Sequence, residues 1–152
     1  MEEIVCIVED VRATTGMYTS NDTWAFSEYD LFFTDKRIIL VVVHGQRDWQ
    51  TAPTNDLDAI ATVSKTLLSY GNVKRQRRES FRGKTPGEIL RLHPDSFEIP
   101  YENIKSIRLY SGLLRKTLEI EAVLEGFEKK FKFSIPKARV EDIERIINQY
   151  FK

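Results

Sequence analysis

Four short runs after residue 95 alternate apolar and polar residues with a period of two, and that pattern restricts this region to antiparallel sheet. Phe97 and Ile99 alternate with Ser96 and Glu98, and Ile107 and Leu109 with Arg108 and Tyr110. Leu118, Ile120, Ala122 and Leu124 alternate with Thr117, Glu119, Glu121 and Val123. Phe131, Phe133 and Ile135 alternate with Lys130, Lys132 and Ser134. One side of each run must meet a core and the other water, so Glu119 and Glu121 are expected on solvent faces. Gly112 and Gly126 mark turns between runs.

The first part of the chain is also extended. Residues 3 to 12 open with the Val- and Ile-rich run Ile4-Val5-Cys6-Ile7-Val8, which reads as a strand covered on both faces. Thr14 to Ser27 is polar and carries Met17, Tyr18, Trp24 and Phe26, a long loop or irregular edge. Residues 28–34 and 37–44 form a hairpin: Leu31-Phe32-Phe33 leads into Thr34-Asp35-Lys36, and Ile38 to Val43 leads out.

Between these regions the period changes. Asn55 can cap a helix with Asp56 and Asp58 in its first turn and Leu57, Ile60, Val63 and Leu67 along one side, ending at Gly71. A second, short helix is signalled by Thr85-Pro86-Gly87-Glu88, a capping box with Pro at the first helical position. Ile89, Leu90 and Leu92 supply its buried side, and His93-Pro94 ends it. After Pro136 a terminal helix shows the stripe Val140, Ile143, Ile147 and Tyr150, widened by Ile146 and Phe151. Glu141 and Arg145 are spaced to pair on its polar side.

A chain of 152 residues fits one domain, 1–152, with a helical insertion at about 45–95. At 41% hydrophobic and 30% charged residues it is globular, not disordered. Cys6 cannot form an internal disulfide, being the one cysteine, and its apolar neighbours make it a small buried hydrophobe. Met1-Glu2-Glu3 is acidic where a secretory signal is basic, and no stretch approaches the ~20 apolar residues of a membrane span. The expected location is the cytoplasm.

Seven strand candidates closed by a terminal helix are the element order of the pleckstrin-homology (PH) superfamily. Leu31-Phe32-Phe33-Thr34-Asp35-Lys36-Arg37-Ile38-Ile39 resembles the second hairpin of bacterial-type PH and GRAM-like domains. Ile99-Pro100-Tyr101-Glu102-Asn103-Ile104 is similar to their lead-in to the second sheet. The resemblance covers residues 2–12, 28–44 and 96–152, and leaves 45–95 unassigned. It implies an α+β, mainly β fold: a seven-stranded sandwich or partly open barrel of two orthogonal antiparallel sheets, capped by the C-terminal helix. It also implies binding to protein or lipid headgroups, usually without catalysis. Family members that hold phosphoinositides place several Lys and Arg around the loop joining the first two strands. Residues 10 to 30 contain only Arg12, so that headgroup site does not carry over.

Total charge is zero, but residues 74 to 84 hold Lys74, Arg75, Arg77, Arg78, Arg82 and Lys84 against Glu79, a local net of +5. This segment could dock on an anionic membrane or acidic protein, contact nucleic-acid phosphates, or be a solvated or internally paired helix end facing acids such as Asp56 and Asp58. Tyr18, Trp24 and Phe26 are candidate interaction aromatics. Gly83-Lys84-Thr85 resembles the end of a phosphate-binding loop, yet Arg78 stands where that motif needs Gly. His44 and His93 lack ligand-spaced partners and are simplest as surface or helix-end residues, so no metal or cofactor is indicated. No small-molecule substrate and no catalytic residues are indicated. The sequence therefore points to a non-catalytic binding or scaffolding module, with protein partners or self-association ahead of an anionic membrane, and nucleic acid last.

Overall fold

The computed structural model describes residues 2–13, 28–44, 72–110 and 115–151. Tyr18, Trp24, Phe26, the helix expected from Asn55 and the Gly112 turn lie outside the described residues. The elements are β1 (Ile4–Ala13), β2 (Glu28–Thr34), β3 (Arg37–His44), α1 (residues 72–80), α2 (Pro86–Arg91), β4 (Phe97–Pro100), β5 (Ile104–Tyr110), β6 (Arg115–Leu124), β7 (Phe127–Pro136) and α3 (Val140–Tyr150). This is an α+β architecture dominated by strands, with helices inserted after β3 and one at the C-terminal end.

All strand pairs are antiparallel, in the order β4-β3-β2-β1-β7-β6-β5. Only a single 3₁₀ turn, Tyr101–Asn103, separates β4 from β5 in the chain, yet they stand at opposite ends of that order. The sheet is therefore open between them. β1 joins the two halves. It pairs with β2 along its length, then meets β7 at Arg12↔Ser134 and Ala13↔Phe133. A register shift between Val8 and Val11 bends it there, with Asp10 at φ 59°.

The halves face each other across one core. Tyr29 of β2 meets Phe133 of β7 edge-on at 6.1 Å, and Phe97 of β4 meets Phe131 of β7 at 5.5 Å. Val140, Ile143, Ile146 and Ile147 of α3 enter the same core, as their helical spacing predicts. Near the end of α3, Tyr101 packs against Tyr150 and Phe151 at ring separations of 5.2 and 5.0 Å. Arg145 turns to Asp142 at 2.8 Å, not to Glu141 as its spacing suggested.

The β2–β3 hairpin is the element covered on both faces. Leu31, Phe33, Ile38, Leu40 and Val42 enter the main core, while Phe32, Ile39 and Val41 pack under Ile89, with Phe81 and Leu90 alongside. That explains its unbroken apolar runs. β1 was expected to be covered likewise and is not: Ile4, Val5 and Ile7 are 37%, 44% and 41% exposed. The outer cluster draws side chains from β2 and β3 and none from β1. Cys6 is half-buried against the main core.

Three smaller expectations are also corrected. Leu92 is exposed, because α2 ends at Arg91 and only Ile89 is fully buried. Glu119 is buried: Lys130 and Lys132 lie at 3.9 and 3.7 Å, and their stems shield it. His44 is buried as well, opposite Glu28 in the β2–β3 register.

Local chemistry fixes the connections. The Thr34 hydroxyl accepts from the Lys36 and Arg37 amides and donates to the Glu2 carboxylate. Arg37 then holds Glu2 in two parallel hydrogen bonds of 2.8 and 2.9 Å. Thr85 and Glu88 form the capping box read from the sequence. Glu125 and Gly126 turn β6 into β7 with φ 54° and 81°, the left-handed pair that a two-residue hairpin loop needs.

Candidate functional site

The basic segment is helical at its start, and the helix divides its charges. Lys74 and Arg78 are four residues apart, so they share one face, and that face lies on the sheet. Arg78 binds Asp30 through Nε–Oδ2 and Nη2–Oδ1 contacts of 2.8 Å each, and its Nη2 also reaches Asp10 at 2.9 Å. Lys74 Nζ bridges Asp10, at 3.1 Å, and Glu28. Arg12 approaches Glu28 from β1 at 3.3 Å. The Asp10 amide closes the group by donating to Asp30 Oδ1 at 3.2 Å.

The electrostatics follow from that geometry. Hydrogen bonding to Asp30, opposed by burial and aided by Asp10, holds the Arg78 guanidinium above its ordinary value. Burial acts to raise the Asp10 carboxyl, but hydrogen bonds from Arg78 and Lys74 outweigh it and leave the group below the usual carboxylate range. Glu2 behaves the same way, with burial overcome by Arg37 and Thr34. These charges are fixed at neutral pH.

Of the six predicted cations, Arg75, Arg82 and Lys84 are exposed, and Arg77 is half-buried. Arg75 bonds Asn72 at 2.7 Å. The acids that receive Lys74 and Arg78 are Glu28, Asp10 and Asp30, not Asp56 and Asp58, which lie outside the described residues. A signal for Asp30 was present in the sequence. A lone carboxylate between Tyr29 and Leu31 must find a cation once its strand is buried.

A second surface carries no sequence motif. Among the described residues β5 pairs only with β6, and no described strand pairs with its other edge. Beside that edge runs a groove of 490 Å³, lined by Ile107, Arg108 and Leu109 on β5 and by Glu144, Ile147 and Asn148 on α3. Arg108 and Tyr110 stand outward on this strand, and Tyr110 is 43% exposed. The groove arises from topology, with a helix over one end of an open sheet. Periodicity cannot report it.

No cluster of metal-ligating residues occurs among the described residues. Burial raises the Cys6 thiol, opposite to an activated nucleophile. No helix among the described residues is long and apolar enough to cross a membrane. The chain matches no protein-family model, no curated protein and no solved structure.

Proposed function

We propose that this chain is a PH-like, non-catalytic binding or scaffolding module that engages protein partners, a second copy of itself included, by strand addition. The observation that carries this reading is the unpaired edge of β5 beside the groove under α3. An extended segment laid there satisfies the free main-chain groups, and its alternate side chains enter the groove. The strand order and terminal helix support the family resemblance.

The test is to select extended peptides on the immobilised protein and titrate them into isotope-labelled protein. Amide shifts confined to Ile104–Tyr110 and to Glu144, Ile147 and Asn148 are the expected result. Selected peptides that shift only other surfaces would refute strand addition at β5.

A second reading is peripheral attachment to an anionic membrane through residues 74–84. Arg75, Arg82 and Lys84 favour it by their exposure. It is the lesser reading, because Lys74 and Arg78 are spent on Asp10, Glu28 and Asp30.

A further inference from the structure

The two faces of β5 differ in chemistry, and that difference sorts what an added strand can present. Ile104–Tyr110 carries two cations, Lys105 and Arg108, and no acid. Lys105 is committed to Glu128. Arg108 is exposed and forms no ion pair among the described residues. Its register neighbour on β6 is Glu119, which Lys130 and Lys132 approach instead, at 3.9 and 3.7 Å. The groove side is apolar. Ile107, which is buried, and Leu109, which is half-buried, meet Ile147 of α3 there, and Glu144 and Asn148 of the same helix complete the lining.

Side chains of a strand alternate between faces, so three successive residues laid beside Ile107, Arg108 and Leu109 point to the groove, outward and to the groove again. An acid in the middle position meets the free Arg108 guanidinium. An acid at either end would enter the apolar groove beside Glu144, and would lose solvation while meeting a like charge. Apolar residues at both ends cover Ile107 and Leu109. A cation in the middle is opposed by Arg108, the guard that a charged side chain gives an edge strand, and here also a source of selectivity. The order apolar, acid, apolar reads the same in both directions and so suits either strand polarity.

Resting on the strand-addition reading above, we infer that the partner is an extended protein segment with an acidic residue between two apolar ones, its acid beside Arg108 and its apolar side chains in the groove against Ile107 and Leu109.

The experiment titrates three end-capped peptides, Ser-Thr-Val-Glu-Val-Thr-Ser and its Val-Lys-Val and Ser-Glu-Ser counterparts, into isotope-labelled protein and follows the amides of Ile104–Tyr110. The Val-Glu-Val peptide is expected to bind about fivefold more tightly than Val-Lys-Val, one ion pair gained against one repulsion. Ser-Glu-Ser, which leaves the groove unfilled, is expected to bind more weakly than Val-Glu-Val. Arg108→Gln, its fold checked by circular dichroism, should bring the Glu-to-Lys ratio near one while keeping the preference for Val over Ser. Equal binding of the Glu and Lys peptides overturns the inference, as does a preference for Lys or one that survives Arg108→Gln. In each of those cases shifts confined to β5 and its groove leave strand addition standing. So does the case in which none of the three peptides moves β5 but selected extended peptides do, and it too overturns the acidic partner. If no extended peptide moves β5, both readings fall.

Discussion

Arg78 and Asp30 form a two-pronged ion pair, 2.8 Å at each contact, in which the carboxylate is 1% exposed and the guanidinium reaches it from the helix above. Removing the cation strands a charge that water cannot reach. Arg78→Ala is therefore expected to cost about 2–4 kcal/mol, somewhat below the ~3–5 kcal/mol for breaking a fully buried pair, because Arg78 keeps some contact with solvent. Replacing both partners, as Arg78→Met with Asp30→Leu, should restore most of that loss. Urea denaturation of the two single variants and the double variant checks this. A double variant no better than Arg78→Ala would mean that the pair contributes net stability.

Acid should weaken the fold in a defined window. Asp10 and Glu2 both have folded values below the unfolded carboxylate range. Their contribution is present above the unfolded pKa values, about 3.9 and 4.3, and is lost as pH falls through the folded ones. Urea midpoints should hold steady from pH 7 to 5, then fall below about pH 4. The fall should be shallower in Arg37→Ala, which releases Glu2. Midpoints that rise on acidification would reverse the assigned direction.

The basic segment should separate by substitution into two groups. Arg75→Gln, Arg82→Gln and Lys84→Gln together touch the exposed side and should move stability by no more than about 0.5 kcal/mol per site. Lys74→Gln with Arg78→Gln should destabilise markedly. Flotation with anionic vesicles at low salt then tests membrane attachment using the first group alone. Wild-type binding that this triple variant loses would raise the membrane reading above strand addition, and absent wild-type binding would eliminate it.

The β6–β7 turn offers a gain. Glu125 holds a left-handed backbone that Asn adopts more readily. Glu125→Asn is expected to raise stability by about 0.5 kcal/mol. Gly126→Ala, at φ 81° with open space around the new methyl, should cost about 1 kcal/mol from backbone strain alone. Thermal melts of both distinguish strain from crowding.

Much of this fold was legible in the residues. The hairpin limits at 28–34 and 37–44, the alternation of β4 to β7, the Thr85–Glu88 cap and the α3 stripe report local geometry, which periodicity encodes directly. What covers a face is a tertiary matter, and there the reading failed. Val5 and Ile7 look no different from Phe32 and Ile39, yet only the latter pair has a cover. Glu119 looks solvent-facing until Lys130 and Lys132 arrive from the next strand. Internal pairing of the +5 segment was one of the readings left open, but a sequence does not say which side of a helix meets the sheet, so it could not name Lys74 and Arg78 as the paired cations or Asp10, Glu28 and Asp30 as their partners. The β5 groove left no trace at all, since it depends on the strand order.

The two-faced hairpin also shapes how the chain must be made. Phe32, Phe33, Ile38, Ile39 and Val41 are translated before most of the residues that cover them. Their cover on one side, Phe81 and Ile89, follows some forty to fifty residues later, and that on the other is completed only by Phe131 to Ile147, about a hundred later. β1, made before the hairpin, waits as long for Phe133 and Ser134 of β7. At about 5–20 residues per second, the nascent chain carries a sticky, uncovered hairpin for several seconds.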